Sequence, residues 1–192
     1  MAVLGASGSG KSTILRLIIG LQKPTRGHVF FHDTDITTYD EDQLMEVRRH
    51  MGMVFQYSAL FDSMTVGENV AFGLRQHTHD DAATRQRIVK EKLHLVGLDG
   101  IEDMMPNDLS GGMKKRVSLA RAIALDPQVI LYDEPTAGLD PLRCMDINRL
   151  VVSMQKQIHA TSVIVTHDMD SAFFCRRPVG LFTGWALSAH CR

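Results

Sequence analysis

Residues 2–13 of this chain read Ala2-Val3-Leu4-Gly5-Ala6-Ser7-Gly8-Ser9-Gly10-Lys11-Ser12-Thr13, and this stretch decides the fold. Gly5 and Gly10 stand five positions apart, with Lys11 and Ser12 directly after them. An apolar triplet before the glycines and apolar helix-forming residues after them predict a strand, a loop and a helix. Glycines let such a loop curl, so that its N–H groups and the positive end of the helix converge on one anion.

Lys11 and Ser12 add the chemistry of a nucleoside triphosphate site to this loop. We expect the backbone of residues 5–13 to hold the phosphates of ATP and the Lys11 ammonium to reach the β- and γ-phosphates. The Ser12 hydroxyl would supply an oxygen to Mg²⁺. For the motif by itself, the alternative is a glycine-rich turn that only caps a helix.

Composition is that of an ordinary globular protein with one sizeable core. The chain has 192 residues, of which 44% are hydrophobic and 22% are charged, so a disordered chain is excluded. Its 21 basic and 22 acidic residues nearly cancel. No nucleic-acid partner is expected, because such partners normally require a basic stripe.

Cysteines and hydropathy limit the cellular location. Cys144, Cys175 and Cys191 are widely spaced and odd in number, which fits neither a disulfide framework nor a zinc site and favours a reducing compartment. No apolar run approaches the ~20 residues that cross a bilayer, and no secretory leader pattern opens the sequence. Any role at a membrane is therefore expected to be peripheral.

Helical patterns alternate with short apolar runs along the chain. The apolar runs predict strands at residues 2–4, 29–31, 51–55, 129–132 and 162–165. Helices are predicted at residues 11–20, 41–50, 65–74, 82–96, 114–125 and 141–157. This order predicts an α/β fold with a mainly parallel sheet, and with its chemistry at the carboxyl ends of the strands. Residues 82–108 give no strand signal and indicate an inserted helical subdomain.

Two acidic residues end the most apolar of these runs. Asp133 and Glu134 directly follow Val129-Ile130-Leu131-Tyr132. A strand end would fix Asp133 toward a magnesium ion, and Glu134 could polarise the attacking water. An acidic helix cap is the alternative, but Pro135 and the fully apolar strand argue against it.

Six motifs together resemble those of the ATP-binding cassette (ABC) ATPases, and they follow the family's order from Gly5 to Asp168. Besides the phosphate loop and Asp133-Glu134, they are Gln56 (the Q-loop glutamine), Leu109-Ser110-Gly111-Gly112 (the signature motif), Ala137-Gly138-Leu139-Asp140 (the D-loop) and His167 (the switch histidine). Each of the smaller motifs alone has a structural alternative. Ser110 with its two glycines could simply cap a helix, and His167 could be a strand-end histidine.

The resemblance implies the fold of a P-loop NTPase, in which a helical subdomain at about residues 60–125 carries the signature. It implies catalytic roles for Glu134, His167 and Gln56, and a magnesium site of Ser12, Gln56 and Asp133. Beyond residues 5–13, nucleotide contacts are implied for Ser110, Gly111, Gly112 and Asp140. In the family two cassettes pair head to tail, so that the signature of one meets the γ-phosphate held by the other.

A narrower set of residues resembles the ATPases of Mla-type lipid transport systems, which work with Mce-domain proteins. The set comprises Tyr57 to Asp62, Val66 to Leu74, Arg75 to Thr78, Met113 and Tyr132. In the family the segment after Gln56 holds a helix of the transmembrane partner. This resemblance implies a phospholipid substrate, a separate membrane permease and, beside it, an Mce-domain lipid-binding protein.

Both ends of the chain depart from the family pattern. The antiparallel layer and the adenine-stacking aromatic residue that precede the phosphate loop in the family have no counterpart before Ala2. Residues 175–192 do not resemble the family and show no periodicity, which is the pattern of a truncated or frame-shifted end. We expect residues 1–174 to form the ATP-binding domain and residues 175–192 to be a poorly ordered tail, without well-defined packing of Trp185.

These observations predict the ATP-hydrolysing subunit of an ABC transporter, a homodimer bound peripherally at the cytoplasmic face of the inner membrane. One alternative is a soluble ABC ATPase that acts on nucleic acid or ribosomes. Three properties of the present sequence argue against this alternative: a near-neutral charge, a single cassette and the lack of a coiled-coil insertion. The other alternative is a truncated, inactive fragment that only occupies the surface of a partner.

Overall fold

Strands and helices alternate in the computed structural model, which describes residues 1–174, 179–183 and 186–190. The strands are β1 Ala2–Leu4, β2 Phe30–Phe31, β3 Thr34–Asp35, β4 Met51–Val54, β5 Val129–Asp133, β6 Thr161–Thr166, β7 Val179–Thr183 and β8 Ala186–His190. The helices are α1 Lys11–Ile18, α2 Glu41–Arg48, α3 Val66–His77, α4 Ala82–Leu95, α5 Gly111–Ala122, α6 Pro141–Ile158 and α7 Met169–Phe174, with a 3-10 turn at Pro106–Asp108.

Six strands form the main sheet in the order β4-β5-β6-β1-β7-β8. All neighbouring pairs are parallel except β7 with β8. Leu4 at the end of β1 lies opposite Thr166 of β6, and Asp133 at the end of β5 lies opposite Val165. The carboxyl ends of β1, β5 and β6 therefore meet at one edge, as predicted for an α/β fold.

Successive side chains of β4, β5 and β6 point to opposite faces of the sheet and so enter two hydrophobic layers. Leu131 of β5 packs with Leu15 of α1 and with Val3 on one face of the sheet. Tyr132, the next residue, packs on the other face in a cluster to which α3, α4, α5 and α6 all contribute. Helices cover both faces, which explains why β5 is apolar throughout.

Helices α3, α4 and α5 pack against one another within residues 60–125, all of which the structure describes and which contain no strand. Helix α5 also reaches the sheet at Gly52 of β4. A Cβ on Gly52 would lie 2.2 Å from the main-chain oxygen of Ala122, so only glycine permits this approach. The helical segment is thereby held close to strand β4.

The helix after the signature begins at Gly111, whereas the sequence analysis placed its start near Lys114. The Ser110 hydroxyl accepts a hydrogen bond from the Met113 N–H at 3.3 Å and caps the helix, so both glycines lie in its first turn. The predicted start lies three residues too far along the sequence because glycine has poor helix propensity. Two glycines in the first turn therefore give no helical signal.

The last part of the chain, where a poorly ordered tail at residues 175–192 is expected, contains two strands among the described residues. Strand β7 pairs with β1, and β8 pairs with β7. Backbone pairing at a sheet edge requires no side-chain periodicity, which is why the sequence pattern did not reveal these strands. Trp185, whose packing the sequence analysis singled out, lies outside the described residues.

None of the helices in the described part of the chain combines the length and the apolar character needed to cross a membrane.

Candidate active site

The loop between β1 and α1 has the backbone conformation that its glycines permit. Gly8 and Gly10 have φ values of 77° and 98°, a region that L side chains rarely adopt. A Cβ on Gly8 would meet no atom within 4 Å, so the loop borders open space there. The loop can therefore accept a bulky group against its main chain.

Lys11 lies inside this loop rather than in solvent. Its ammonium donates hydrogen bonds to the main-chain oxygens of Gly5 at 2.9 Å and Ala6 at 3.0 Å. The same ammonium lies 3.7 Å from Oε1 of Glu134. The fold thus brings the cation of the loop to the acidic end of β5.

Ser12 and Asp133 make the second link between the loop and β5. The Ser12 hydroxyl donates a hydrogen bond to Oδ1 of Asp133 at 2.7 Å, although 121 positions separate the two residues. Strand β6 stands between β1 and β5 in the sheet, so the start of α1 spans this gap. Two oxygen donors of the kind that Mg²⁺ prefers are placed side by side.

Glu134 is fixed on both its backbone and its carboxylate. Its N–H donates to the Val165 oxygen at 3.0 Å, and its φ is 47°, which is uncommon for a residue with a side chain. Oε2 accepts a hydrogen bond from the His167 N–H at 3.3 Å and lies 2.8 Å from His167 Nδ1. The carboxylate therefore lies between the ammonium of Lys11 and the imidazole of His167.

These residues fit a bound triphosphate with a magnesium ion. The Ser9 hydroxyl is buried and has no hydrogen-bond partner among the described residues, which is costly unless a further polar group meets it. Ser12 and Asp133 supply hard oxygen ligands, and Lys11 supplies positive charge. An anion with a hard cation would satisfy all of them.

The structure places the signature and the D-loop in a second group. Asp140 caps α6, accepting a hydrogen bond from the Arg143 N–H at 3.1 Å. A Cβ on Gly111 would lie 4.0 Å from the Leu139 side chain, and a Cβ on Gly112 would lie 3.8 Å from the Arg143 side chain. Within the part of the chain that the structure describes, neither Ser110 nor Asp140 forms a hydrogen bond or ion pair with the phosphate loop.

Gln56 follows β4 and is half-buried. Its main-chain oxygen accepts a hydrogen bond from the ammonium of Lys115 on α5. The sequence analysis did not single out Lys115, because Lys114-Lys115-Arg116 has the composition of a solvated face. Helical spacing gives one indication that Lys115 is buried. Lys115 stands three and four positions before Ser118 and Leu119, on the same helix face, and both of these residues are buried.

A buried polar network beside His167 was also missed. The Asn148 side chain of α6 donates to the Ser171 hydroxyl at 2.9 Å, and that hydroxyl donates to Asp168. The Thr136 hydroxyl lies 3.4 Å from the Ser171 hydroxyl. The network therefore connects the segment after Glu134 with the segment after His167, through residues that belong to none of the recognised motifs.

A family model and several curated proteins match the sequence of this chain. The family model for "ABC transporter" matches residues 1–137. The chain is 48% identical over 170 residues to "Probable ribonucleotide transport ATP-binding protein mkl" of Mycobacterium leprae, covering 88% of this chain and 49% of that protein. It is 44% identical over 169 residues to the "Intermembrane phospholipid transport system ATP-binding protein MlaF" of Haemophilus influenzae, covering 88% of this chain and 64% of that protein.

Solved structures show the same fold. The dimeric ATP-binding cassette MJ0796 in a post-hydrolysis state, bound to ADP and Pi, has a TM-score of 0.87 at 33% identity, covering 98% of this chain and 84% of that chain. The cassette cbiO1 of Clostridium perfringens has a TM-score of 0.88 at 34% identity, covering 97% of this chain and 74% of that chain. The chain spans about half of the mkl protein and less than two thirds of MlaF.

The prediction of a P-loop NTPase fold with a mainly parallel sheet is confirmed by these cassettes. Since the family model covers well over half of the 192 residues, the chain belongs to the ABC transporter family.

Proposed function

We propose that this chain is the ATP-binding and ATP-hydrolysing subunit of an ABC transporter. The observation that carries the proposal is the position of Glu134, held between Lys11 and His167 beside the Ser12–Asp133 hydrogen bond. A cation, two metal-ligand oxygens and a fixed carboxylate at one helix start are the parts that phosphoryl transfer to water requires. Catalysis in such sites depends mainly on positioning and electrostatics.

Each residue of the site has a role that follows from its chemistry. The main-chain amides of residues 5–13 and the Lys11 ammonium bind the phosphates. Ser12, Asp133 and Gln56 hold Mg²⁺, which neutralises charge on the transferred group when it is bound. Glu134 accepts a hydrogen bond from the attacking water and orients it, while His167 keeps the carboxylate in place.

ATP turnover by the purified chain tests this proposal. We expect Glu134→Gln to lower turnover by about 100-fold or more, because the amide is a far weaker base, while a fluorescent ATP analogue still binds. Glu46→Gln is the matched control, since Glu46 is an exposed glutamate on α2. If the wild-type chain and Glu134→Gln hydrolyse ATP equally slowly, the chain is not an ATPase and the inactive-fragment alternative holds.

We further propose that two copies pair head to tail. Among the residues that the structure describes, Ser110 and Asp140 of the signature group form no hydrogen bond or ion pair with the phosphate loop of their own chain. A second copy related by a twofold axis would bring the start of α5 to the bound nucleotide, and the symmetry makes two such sites. A dimeric cassette among the similar structures supports this pairing.

The transported substrate is proposed to be a phospholipid. Two MlaF proteins, from Haemophilus influenzae and Escherichia coli, are 44% and 43% identical to the chain. The segment Tyr57 to Asp62 resembles the same group of ATPases and would contact the permease at the cytoplasmic face of the inner membrane. An Mce-domain protein would deliver or receive the lipid on the far side of the permease.

The geometry of that segment supports a docking role. Tyr57 is 86% exposed, yet the loop beside it is firmly held. The Arg121 guanidinium donates to the main-chain oxygens of Ser58 and Ala59 at 3.0 and 2.6 Å. An exposed aromatic side chain on a loop with fixed backbone is typical of a protein contact.

Similarity alone does not choose the substrate, because relatives named for ribonucleotide and for sulfate transport are 48% and 43% identical. Co-purification identifies the permease, and proteoliposomes of that complex then allow a comparison of substrates. We expect phosphatidylglycerol to stimulate ATP turnover, and neither ribonucleotides nor sulfate to do so. Stimulation by ribonucleotides alone would contradict the lipid proposal, and recovery of ribosomes or RNA without a permease would favour the nucleic-acid alternative.

A further inference from the structure

Lys115 is a buried lysine close to, but outside, the recognised motifs. It lies on α5, five residues after Ser110, and its residue surface is only 5% exposed. Lysine is rarely buried to this degree without a partner, because removing an ammonium from water is costly. An apolar side chain of similar length would fill the same space without the desolvation free energy of an ammonium. The charge or its hydrogen bond is therefore expected to have a functional role.

The partner of Lys115 is the main chain of the Q-loop. Its ammonium donates to the main-chain oxygen of Gln56, 59 positions away. No other hydrogen bond or ion pair to this ammonium is found among the described residues. Burial lowers the pKa of the Lys115 side chain, while the charges of Asp133, Cys144 and Glu134 oppose this shift. Its hydrogen bond to the Gln56 oxygen is the contact that compensates the burial of this ammonium.

Three parts of the site thus meet at one side chain. Helix α5 starts at the signature, Gln56 stands two residues after the end of β4, and β4 pairs with the strand that ends in Asp133. A glutamine side chain samples fewer orientations when the main chain at its own position is fixed. Arg121 holds this loop at Ser58 and Ala59, which lie after Gln56. The hydrogen bond from Lys115 supplies this restriction at the residue itself.

We propose that Lys115 is a positioning residue, which holds the main chain at Gln56 so that the Gln56 side chain stays directed toward the magnesium site. Because Lys115 and the signature share α5, the same contact ties the signature helix to the metal site. This inference rests on the proposed ATPase function and on the role of Gln56 within it. It assigns Lys115 no contact with ATP or with the reacting atoms.

Two substitutions at Lys115 separate its hydrogen bond from its bulk. Lys115→Met keeps the length of the side chain and removes the donor, whereas Lys115→Gln keeps a donor that can reach a carbonyl and removes the charge. Lys114→Met is the matched control, because Lys114 is the adjacent lysine on α5, is not buried, and forms no ion pair or hydrogen bond through its side chain among the described residues.

Three readouts are measured on each variant: binding of a fluorescent ATP analogue with and without Mg²⁺, ATP turnover against Mg²⁺ concentration, and hydrogen exchange of amides 55–58. For Lys115→Met we expect the Mg²⁺ concentration at half-maximal binding and at half-maximal turnover to rise about ten-fold. This is the size of effect seen when a residue that orients a metal ligand is lost. Binding without Mg²⁺ should change less than about two-fold, since the phosphate loop is intact. Amides 55–58 should exchange faster.

Lys115→Gln should restore the Mg²⁺ requirement to within about three-fold of wild type, and Lys114→Met should match wild type. Unchanged Mg²⁺ dependence and exchange in Lys115→Met would overturn the inference. So would a uniform loss of binding with and without Mg²⁺, or failure of both Lys115 variants to fold, because each indicates a purely structural role. Failure of the proposed function looks different, since the wild-type chain itself would then show no Mg²⁺-dependent turnover.

Discussion

At the scale of single residues, Glu134 combines an unfavourable backbone with two polar anchors. Its φ of 47° costs a residue with a side chain about 1–2 kcal/mol. The hydrogen bond to Val165 and the contacts with Lys11 and His167 compensate this cost. A carboxylate that is oriented before substrate arrives needs no reorganisation during the reaction.

The thiol of Cys144 offers a test of the electrostatics around the D-loop. Burial raises the pKa of this thiol, and the carboxylates of Asp168 and Asp140 raise it further. Since the folded pKa lies above the ordinary value, the thiol stays protonated to higher pH and the reactive thiolate is depleted at pH 8. We expect iodoacetamide to alkylate Cys144 at pH 8 about five-fold or more slowly than free cysteine.

Mass spectrometry measures this rate in a variant with Cys175→Ser and Cys191→Ser, where Cys144 is the remaining thiol. In urea the same variant should react as fast as free cysteine, because unfolding removes the burial and the neighbouring charges. A folded protein that reacts as fast as free cysteine would contradict the raised pKa, because neither burial nor the carboxylates would then protect this thiol.

At the scale of secondary-structure elements, α3 begins with a capping box. The Thr65 hydroxyl accepts a hydrogen bond from the Glu68 N–H at 3.2 Å, and the Glu68 carboxylate accepts one from the Thr65 N–H at 3.0 Å. Thr65→Ala leaves the Glu68 N–H without its acceptor. We expect it to lower the free energy of unfolding by about 1 kcal/mol, measured by urea denaturation with circular dichroism.

Thr65→Ser is the control, because it keeps the capping oxygen, and it should stay within about 0.5 kcal/mol of wild type. Equal destabilisation by serine and alanine would mean that the threonine methyl group, rather than the cap, stabilises this helix start.

Elements with local signals were predicted from the sequence, and elements that depend on distant partners were not. The Thr65 capping box and the apolar run that becomes β5 are encoded by adjacent residues, so their patterns were sufficient. Strand β7 exists because β1 offers it a partner, and Lys115 is buried because α5 packs beside Gln56. No spacing within residues 179–183 reveals the pairing with β1, and the helical spacing of Lys115 with Ser118 and Leu119 indicates burial but not the contact with Gln56.

The same limit applies to the site. Motif order predicted that the phosphate loop lies beside Asp133 and Glu134, and the structure has Lys11 3.7 Å from Glu134, because strand ends of a parallel sheet share an edge. The hydrogen bonds of Asn148 with Ser171 join a helix to a turn, and neither residue belongs to a recognisable pattern. The sequence therefore located the candidate site residues better than the residues that hold them in place.

At the scale of the whole molecule, the division of the motifs into two groups predicts complementation between damaged chains. Lys11→Ala disables the phosphate loop, and Gly111→Asp disables the signature. Gly111 is exposed and a Cβ there meets its nearest atom at 4.0 Å, so the fold should tolerate the aspartate. In a head-to-tail heterodimer, one site combines the intact phosphate loop of one chain with the intact signature of the other.

Each variant alone should be inactive, and an equal mixture should recover about a quarter of wild-type turnover, because about half of the random dimers contain one intact site of two. A mixture of Lys11→Ala with Glu134→Gln is the control and should stay inactive, since both changes damage the same half of the site. No recovery in the first mixture, with association verified by sedimentation, would contradict head-to-tail pairing.

The position of β1 has a consequence for how the chain acquires its fold. β1 lies between β6 and β7, and its partners stand about 160 and 177 positions further along the sequence. During synthesis β1 leaves the ribosome before either of its partner strands, so it stays unpaired at least until residues 161–166 have followed it. Closing the middle of the sheet is thus a late, high-contact-order event, and folding of this cassette should be slow compared with that of helical proteins of equal length.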